Sequence, residues 1–202
     1  MKWFNNMKLK TKLLSSFSII ALIAGIIGYM GYSGLQSTLE GLEEIGQVRM
    51  PSVEYLSKID AAQSSILIGE RGLLIDELTG ELRDAQYAWI EKQYDSLQAA
   101  WDKYVPLRMT KKEEVYWNNY VKAFEVFKEK DAKMVGFSKE KDRLIDQGIS
   151  EEDPRIIQLE KAAFEASLES RSAYLDSYEF MNKLFAENDK TAELFFKESH
   201  HN

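Results

Sequence analysis

Residues 154–198 read PRIIQLEKAAFEASLESRSAYLDSYEFMNKLFAENDKTAELFFKE, with apolar side chains at every third or fourth position. This spacing predicts one long amphipathic helix, and Asp153-Pro154 has the form of an N-cap followed by proline in the first helical position. We expect its inward stripe to carry Phe164, Leu168, Arg171, Leu175, Tyr178, Met181, Phe185, Asn188 and Ala192.

Three further helical patterns precede this one. The first spans residues 33–78 and ends at Thr79-Gly80, with a kink or restart expected at Pro51. The second covers about residues 81–104, and the third opens at a capping box formed by Thr110 and Glu113. No segment shows the sustained alternation of apolar and polar residues, with a period of two, that is typical of a half-buried strand. The sequence therefore predicts an all-α fold.

Helices of this length with short connections bury their stripes against one another. The expected architecture is an up-down-up-down four-helix bundle, preceded by one transmembrane helix. The transmembrane segment is residues 13–32, LLSSFSIIALIAGIIGYMGY, which contain no charge. At about 1.5 Å per residue these 20 residues span roughly 30 Å, the thickness of a bilayer core.

The charges around the apolar segment predict its orientation. Residues 1–12 contain four lysines and no acid, and the first acid after the segment is Glu40. The positive-inside rule then keeps the N-terminus in the cytoplasm and exports the rest of the chain. The alternative is a cleaved signal peptide, whose apolar region is usually shorter, about 7–15 residues.

Glycines recur along this segment at Gly25, Gly28 and Gly31. Small residues at such spacing let two membrane helices approach closely, so this face is a candidate for self-association. The alternative is that glycine is simply common in membrane helices.

The composition of the 202 residues excludes several classes of function. The chain has no cysteine, and its two histidines are His200 and His201, so disulfides, thiolate metal sites, cysteine nucleophiles and internal histidine triads are excluded. Beyond residue 12 the chain carries 22 bases against 33 acids, a balance that disfavours nucleic acid. We expect no enzyme activity, no cofactor and no metal.

Several segments together resemble the N-terminal part of a bacterial methyl-accepting chemotaxis protein. They are MKWFNNMKLKTKLLSSF at residues 1–17, GYMGYSGL at 28–35, RMPSVEYL at 49–56, LIGERGLL at 67–74 and LFAENDKTAE at 184–193. The resemblance covers essentially the whole chain. It implies an extracytoplasmic ligand-sensing module that relays its signal across the membrane by helix displacement.

The resemblance also implies a domain plan. Residues 1–12 form a cytoplasmic basic leader, 13–32 the transmembrane helix, 33–199 the extracytoplasmic sensor bundle and 200–202 a tail. The chain would then cross the bacterial cytoplasmic membrane once. Such receptors continue into a second crossing, a linker and a cytoplasmic coiled coil that engages a histidine kinase, and this chain ends about where that crossing should begin, as a fragment or a truncation.

The expected partners are a second copy of the chain, the membrane, and a small-molecule ligand or a periplasmic binding protein. A histidine kinase would be reached only through a cytoplasmic part absent here. Two alternatives stay open: the sensor module of a histidine kinase or cyclic-di-nucleotide enzyme, and a membrane-tethered helical scaffold that binds a protein partner.

Two arginines are candidate ligand-binding residues, Arg71 between Leu67 and Leu74 and Arg171 between Leu168 and Leu175. Both fall on stripes expected to face inward, and a guanidinium donates in a planar fork that matches a carboxylate. Related chemoreceptors use arginines on bundle helices in this way, and Arg71 is the position to which the resemblance extends. The alternative is internal pairing with neighbouring acids, since an unpaired buried charge is costly.

The remaining predictions concern Arg49, the aromatic residues and the acidic runs. Arg49 is expected at the surface or at an interface. The aromatic side chains of the middle helices are expected in the core, with an aromatic pocket as the alternative; they are Trp89, Trp101, Trp117, Tyr94 and Tyr120. The acidic runs, including Glu151-Glu152-Asp153, are expected to be solvated.

Overall fold

The computed structural model describes the backbone of residues 8–201 and the side chains of residues 8–197. In this range the chain forms the following elements: α1 (Leu9–Glu44), a π-helical turn (Ile45–Arg49), α2 (Met50–Gly72), α3 (Gly80–Tyr104), α4 (Lys111–Asp146) and α5 (Pro154–His201). All regular structure between residues 8 and 201 is helical, which confirms the all-α prediction. The first seven residues of the predicted leader, and the side chains of the predicted tail, lie outside the described residues.

The chain divides into two compact units. One unit is residues 47–191, which contain the packed parts of α2 to α5. The other contains the described residues up to 46 and from 192 onward. In this second unit every residue from 16 to 33 is exposed, and the apolar window of the helix is 0% buried with a mean hydropathy of 2.1. The core helix of a soluble protein would be mostly buried, whereas a membrane anchor or a signal sequence would show this exposure.

Each helix of the larger unit packs against two others around a common core. The joining contacts are Gly69 with Ile90 between α2 and α3, Tyr94 with Asp131 between α3 and α4, Phe127 with Tyr174 between α4 and α5, and Gln63 with Ser177 between α5 and α2. These contacts close a ring of four helices, as the four-helix bundle predicts. Gly69 permits the closest approach, because a Cβ atom there would lie 2.7 Å from Ile90 Cγ1.

Aromatic rings of α3 and α4 fill one side of this core. Trp101 and Trp117 lie 4.4 Å apart between ring centroids, and Tyr120, Phe124 and Phe127 continue the column. Opposite them α5 presents mainly small side chains in its first half: Ala163, Ala166, Ser167, Ser170, Ala173 and Ser177. Small residues on one helix leave room for large rings on its neighbour, so the two faces pack closely beside the aromatic column.

The predicted inward stripe of α5 is wrong in its first half. Phe164, Leu168 and Leu175 are 54%, 51% and 51% exposed, and Tyr178 is also exposed. The small residues point inward in their place, because the aromatic rings of α4 occupy the space that larger side chains would need. In the second half of α5, Met181 and Asn188 are buried as predicted.

Helix boundaries follow the local signals with one difference. The predicted capping box is present, with Thr110 Oγ1 accepting from Glu113 N and Glu113 accepting from Thr110 N. The first bundle helix ends at Gly72, six residues before the predicted end, because Leu73 turns into the core as part of the connection. The restart expected at Pro51 is present: after the π-helical turn a new α-helix begins at Met50, with the proline in its first turn, where its missing N–H costs no hydrogen bond.

Candidate functional site

A cavity of about 180 Å³ lies where the connection after α2 meets α4 and α5. Apolar side chains form most of its wall, and four polar side chains complete it. The lining residues are Leu73, Leu74, Phe137, Leu159, Ala163, Phe164, Asp76, Ser138, Lys141 and Glu160. The early end of α2 creates this space, because Leu73 and Leu74 leave the helix there.

Lys141 is the buried cation of the cavity. Its side chain is 9% exposed, and its Nζ lies 3.1 Å from Glu160 Oε1 and 3.4 Å from Asp76 Oδ1. These two acids are 37% and 75% exposed, so water still reaches them while the lysine is mostly desolvated. The pair of carboxylates compensates the buried ammonium, which would otherwise be costly.

A larger groove of about 480 Å³ continues from the cavity and shares Asp76, Lys141 and Glu160 with it. Seven acids and two bases line the groove: Asp76, Asp84, Asp142, Asp146, Glu151, Glu152, Glu160, Arg83 and Lys141. With five more acids than bases, its field attracts positively charged molecules. The Glu151 and Glu152 run, expected to be solvated, lies at the edge of this groove.

Arg83 is the second base of the groove and is held in place by two bonds. Its Nε donates to Asp142 Oδ1 at 2.6 Å, and its Nη1 donates to the Leu73 carbonyl at 3.0 Å. Its Nη2 is buried and has no hydrogen-bond partner. Tyr87 donates to the other oxygen of Asp142, and burial followed by this hydrogen bond raises the pKa of Tyr87.

This arrangement suits a small molecule with both a polar and an apolar part. An apolar wall gives binding energy, and a few placed polar groups orient the ligand. Within the described residues, no group of three or more His, Cys, Asp or Glu is arranged to hold a metal ion.

The two predicted ligand-binding arginines lie elsewhere. Arg71 and Arg171 are exposed, and neither makes an ion pair or a side-chain hydrogen bond among the described residues. The inward placement predicted for them is wrong, because the buried faces of α2 and α5 are rotated from the stripes on which they lie. Neither residue lines the cavity or the groove. Their role in ligand binding stays a prediction.

Arg49, expected at the surface, is 2% exposed. Its Nη1 donates to both carboxylate oxygens of Glu113, at 2.8 and 2.7 Å, and to Asn188 Oδ1 at 3.1 Å. Its Nη2 donates to the Arg108 carbonyl at 2.6 Å. One guanidinium thus joins the π-helical turn before α2 to α4, α5 and the connection after α3.

The aromatic side chains of the middle helices lie in or against the core as predicted, with one exception. Trp101, Trp117 and Tyr120 belong to the packed column, and Tyr94 is half-buried with its hydroxyl on Asp131. Trp89 is 43% exposed, and its Nε1 donates to the Ser65 carbonyl on α2.

Sequence reasoning missed Lys141 and Arg83. The spacing Met134, Ser138, Lys141 continues the inward register of α4, which is the signal that could have placed Lys141 inside. The acids that pair with Lys141 lie 65 and 19 positions away in the sequence. No local pattern identifies partners at that separation.

The three glycines of the apolar segment have open space where a Cβ atom would lie. At Gly25, Gly28 and Gly31 no described atom of the chain comes within 4 Å of that position. The face they form is therefore not packed against any other described part of the chain.

Comparison with known proteins identifies the family. Residues 6–144 match the family model described as a four-helix-bundle sensory module for signal transduction. No curated protein and no solved structure matches the chain significantly. The match covers more than half of the chain and agrees with the helical ring of residues 47–191. The chain belongs to the family of four-helix-bundle sensory modules for signal transduction.

Proposed function

We propose that this sensory module is the extracytoplasmic ligand-sensing part of a chemotaxis transducer and binds a small amino-bearing molecule beside Lys141. The observation that carries the proposal is the partly apolar cavity that opens into an acidic groove. The family supplies the sensing role, and the cavity supplies a place where a ligand fits. The sensing step is common to chemotaxis transducers, histidine kinases and cyclic-di-nucleotide enzymes, so any of these outputs is compatible with it.

The charges of the site favour a zwitterion. An ammonium group would interact with Asp76 and Glu160, which are partly exposed and already bind a cation. A carboxylate on the same ligand would accept from Lys141 and from the unpartnered Nη2 of Arg83. A simple dicarboxylate would meet the excess of acids in the groove and be repelled.

Membrane attachment through residues 13–32 completes the proposal. The exposed apolar helix and the four lysines before it support an inside N-terminus, a single crossing and a sensor bundle outside the cytoplasm. The domain plan of leader, membrane helix, sensor bundle and tail follows from that orientation.

The relay would run through α2 and α5. The cavity is lined by Leu73 and Leu74, just after α2, and by the first turns of α5, so a ligand there touches both. Further along, α2 and α5 are joined by hydrogen bonds from Gln63 to Ser177 and between Ser64 and Tyr174. A ligand can move the two helices only if it binds one arrangement more tightly than the other. Packed helices switch between discrete arrangements, so a small displacement suffices.

A homodimer is part of the proposal, and the glycine face at residues 25–31 is one place for the contact. In the indirect form of the proposal, the module senses a periplasmic binding protein and no small molecule binds to it directly. A helical scaffold without a ligand is the remaining alternative.

The test is a thermal-shift screen of the whole chain in detergent micelles with amino acids, simple amines and dicarboxylates. A zwitterion present at a hundred times its dissociation constant should add about 2.7 kcal/mol to the free energy of unfolding. Lys141→Met should abolish this shift, whereas the control Lys128→Met, at an exposed position of α4, should keep it.

Two results would contradict the cavity as the ligand site. One is a zwitterion shift of equal size in Lys141→Met and in the unmodified chain. The other is a shift by dicarboxylates that Arg71→Ala or Arg171→Ala removes, which would return the site to the two surface arginines. If no small molecule shifts the transition, sensing through a protein partner is favoured.

A further inference from the structure

Two carboxyl groups from different helices lie in the core of the bundle. Glu70 on α2 is 0% exposed, and neither of its carboxyl oxygens has a hydrogen-bond partner. Asp131 on α4 is 2% exposed; its Oδ2 accepts from the Tyr94 hydroxyl of α3 at 2.7 Å, and its Oδ1 has no partner. Helix α5 contributes Ser170, which is 0% exposed; its hydroxyl makes no hydrogen bond of ordinary geometry, but it is close enough to Glu70 to lower the pKa of that carboxyl group. Every helix of the bundle thus contributes one polar side chain.

No base neutralises this pair. Among the described residues, no lysine or arginine makes an ion pair with either carboxyl group. Arg71 follows Glu70 in the sequence, but its side chain is exposed and its charge has only a minor effect on Glu70. Lys130, next to the aspartate on α4, pairs with Glu169 of α5 at 3.0 Å near the surface. Glu125 of α4 adds a further negative charge near the tyrosine of α3.

The surroundings make the protonated form of Glu70 favourable. Burial, followed by the charge of Asp131, raises the pKa of Glu70 to about 8, although the Ser170 hydroxyl acts in the opposite direction. Burial raises the pKa of Asp131 to about 6, against the lowering effect of the Tyr94 hydrogen bond. Burial and the Asp131 charge also raise the pKa of Tyr94, which therefore stays protonated as a donor.

We propose that Glu70 and Asp131 form a proton-binding site in the bundle core, through which the sensory module responds to pH outside the membrane. A proton is the ligand that fits, because neither acid lines the cavity or the groove and a larger ion would need space. On release the O–H bond of the carboxylic acid breaks, the proton passes to water, and a second negative charge remains in the core. The inference rests on the proposed placement of the bundle outside the cytoplasm, but it does not depend on ligand binding beside Lys141.

Repulsion between two unpaired carboxylates is the proposed source of the response. Inside a protein such a charge pair is screened far less than in water. Since Glu70 belongs to α2 and Asp131 to α4, loss of the proton weakens the packing between these helices. The Ser170 hydroxyl, which acts on the Glu70 carboxyl group, places α5 beside the same charge.

The direction of the pH dependence follows from linkage. An unfolded glutamate has a pKa of 4.5, and folding raises that of Glu70. Between the two pKa values the folded chain binds more protons than the unfolded chain, so stability falls as pH rises. The contribution of Glu70 to the free energy of unfolding is therefore fully present below about pH 4.5 and is lost as the pH approaches 8.

The experiment follows the unfolding temperature of the whole chain in detergent micelles from pH 5.5 to 9. The unmodified chain should lose stability progressively over this range. Glu70→Gln, a neutral residue of the same shape, should melt above the unmodified chain at pH 9 and depend much less on pH. The control Glu91→Gln, an exposed glutamate of α3, should parallel the unmodified chain, and Lys141→Met should keep the pH response. Parallel curves for Glu70→Gln and the unmodified chain would overturn the proposal.

A direct titration keeps the proposal testable if Glu70→Gln does not fold. Carbon-13 spectra of the side-chain carboxyl groups should show one glutamate of the unmodified chain that titrates near pH 8; titration of all glutamates below pH 6 would overturn the proposal. Stabilisation at pH 9 by sodium or calcium chloride, present in the unmodified chain and absent from Glu70→Gln, would assign the site to a metal cation and would also overturn it.

Discussion

Arg49 and Glu113 form an ion pair that solvent barely reaches, with side chains 3% and 1% exposed. Glu113 has two tasks, since it also accepts from the backbone N–H of Thr110 at the start of α4. A buried pair of this kind is worth little relative to an apolar replacement of both partners, but the loss of one partner leaves a buried charge unpaired.

We therefore expect Arg49→Met to destabilise the chain by about 3–5 kcal/mol, because Glu113 would lose the guanidinium that neutralises it while it stays buried. Denaturant unfolding of the chain in detergent measures the loss. Arg155→Met is the control: it removes the exposed pair with Asp153, and we expect little change. An equally small change in Arg49→Met would show that water enters the site and solvates Glu113.

Local signals at the scale of single residues were predictable from the sequence. The Thr110 and Glu113 capping box lies within four consecutive positions, and the sequence predicted it correctly. The environment of Arg49 was not predictable, because its partners Glu113 and Asn188 lie 64 and 139 positions away. The same reason explains why Glu70 and Asp131 were not recognised as a pair.

At the scale of elements, α5 has an apolar stripe on its outer face. The apolar members of the stripe are exposed and recur at heptad spacing, with the charged Arg171 between them: Ile157, Phe164, Leu168, Leu175 and Tyr178. This is the seam that coiled-coil partners use. Large apolar rows on a protein surface often mark interaction sites, so the stripe is a second candidate contact for the proposed homodimer.

We expect cysteines at Leu168 and Leu175 to form disulfide-linked dimers in membranes, where attachment raises the effective concentration. A cysteine at Asp176, an exposed position beside the stripe, is the control and should crosslink less. The chain has no native cysteine to interfere. Crosslinking between residues 35 and 48, and none on α5, would instead place the contact along α1.

The existence, order and type of the helices were predictable, because each helix carries a pattern with a period near 3.6 and clear end signals. The face of α5 that packs into the core was not predictable. Its small and large residues both recur at helical spacing, and hydrophobicity alone favours the large ones. The choice depends on the bulk of Phe124 and Phe127 on α4, which a single-helix pattern does not contain.

At the scale of the whole molecule, the charges of the chain are divided between its segments. Lysines without acids precede the apolar segment, and the bundle sequence is acidic. This division is the basis of the proposed orientation by the positive-inside rule. In that orientation, an acidic bundle with an acidic groove would concentrate cationic solutes outside the membrane.

We expect protease added to spheroplasts to digest the bundle and to spare the first dozen residues. Inside-out vesicles are the control, in which the leader should be cleaved and the bundle protected. Protection of the whole chain in spheroplasts would contradict the orientation, and release of an intact bundle without its apolar segment would indicate a cleaved signal peptide.

The close contact between Trp101 and Trp117 has an optical consequence. Their ring centroids are 4.4 Å apart and the planes are inclined by 55°, so the excited states of the two indoles interact. Near-ultraviolet circular dichroism depends on fixed tertiary packing, and this pair should dominate that spectrum. The rings belong to α3 and α4, so any change in the packing of these helices alters the signal without a label. The bundle thus carries its own spectroscopic reporter.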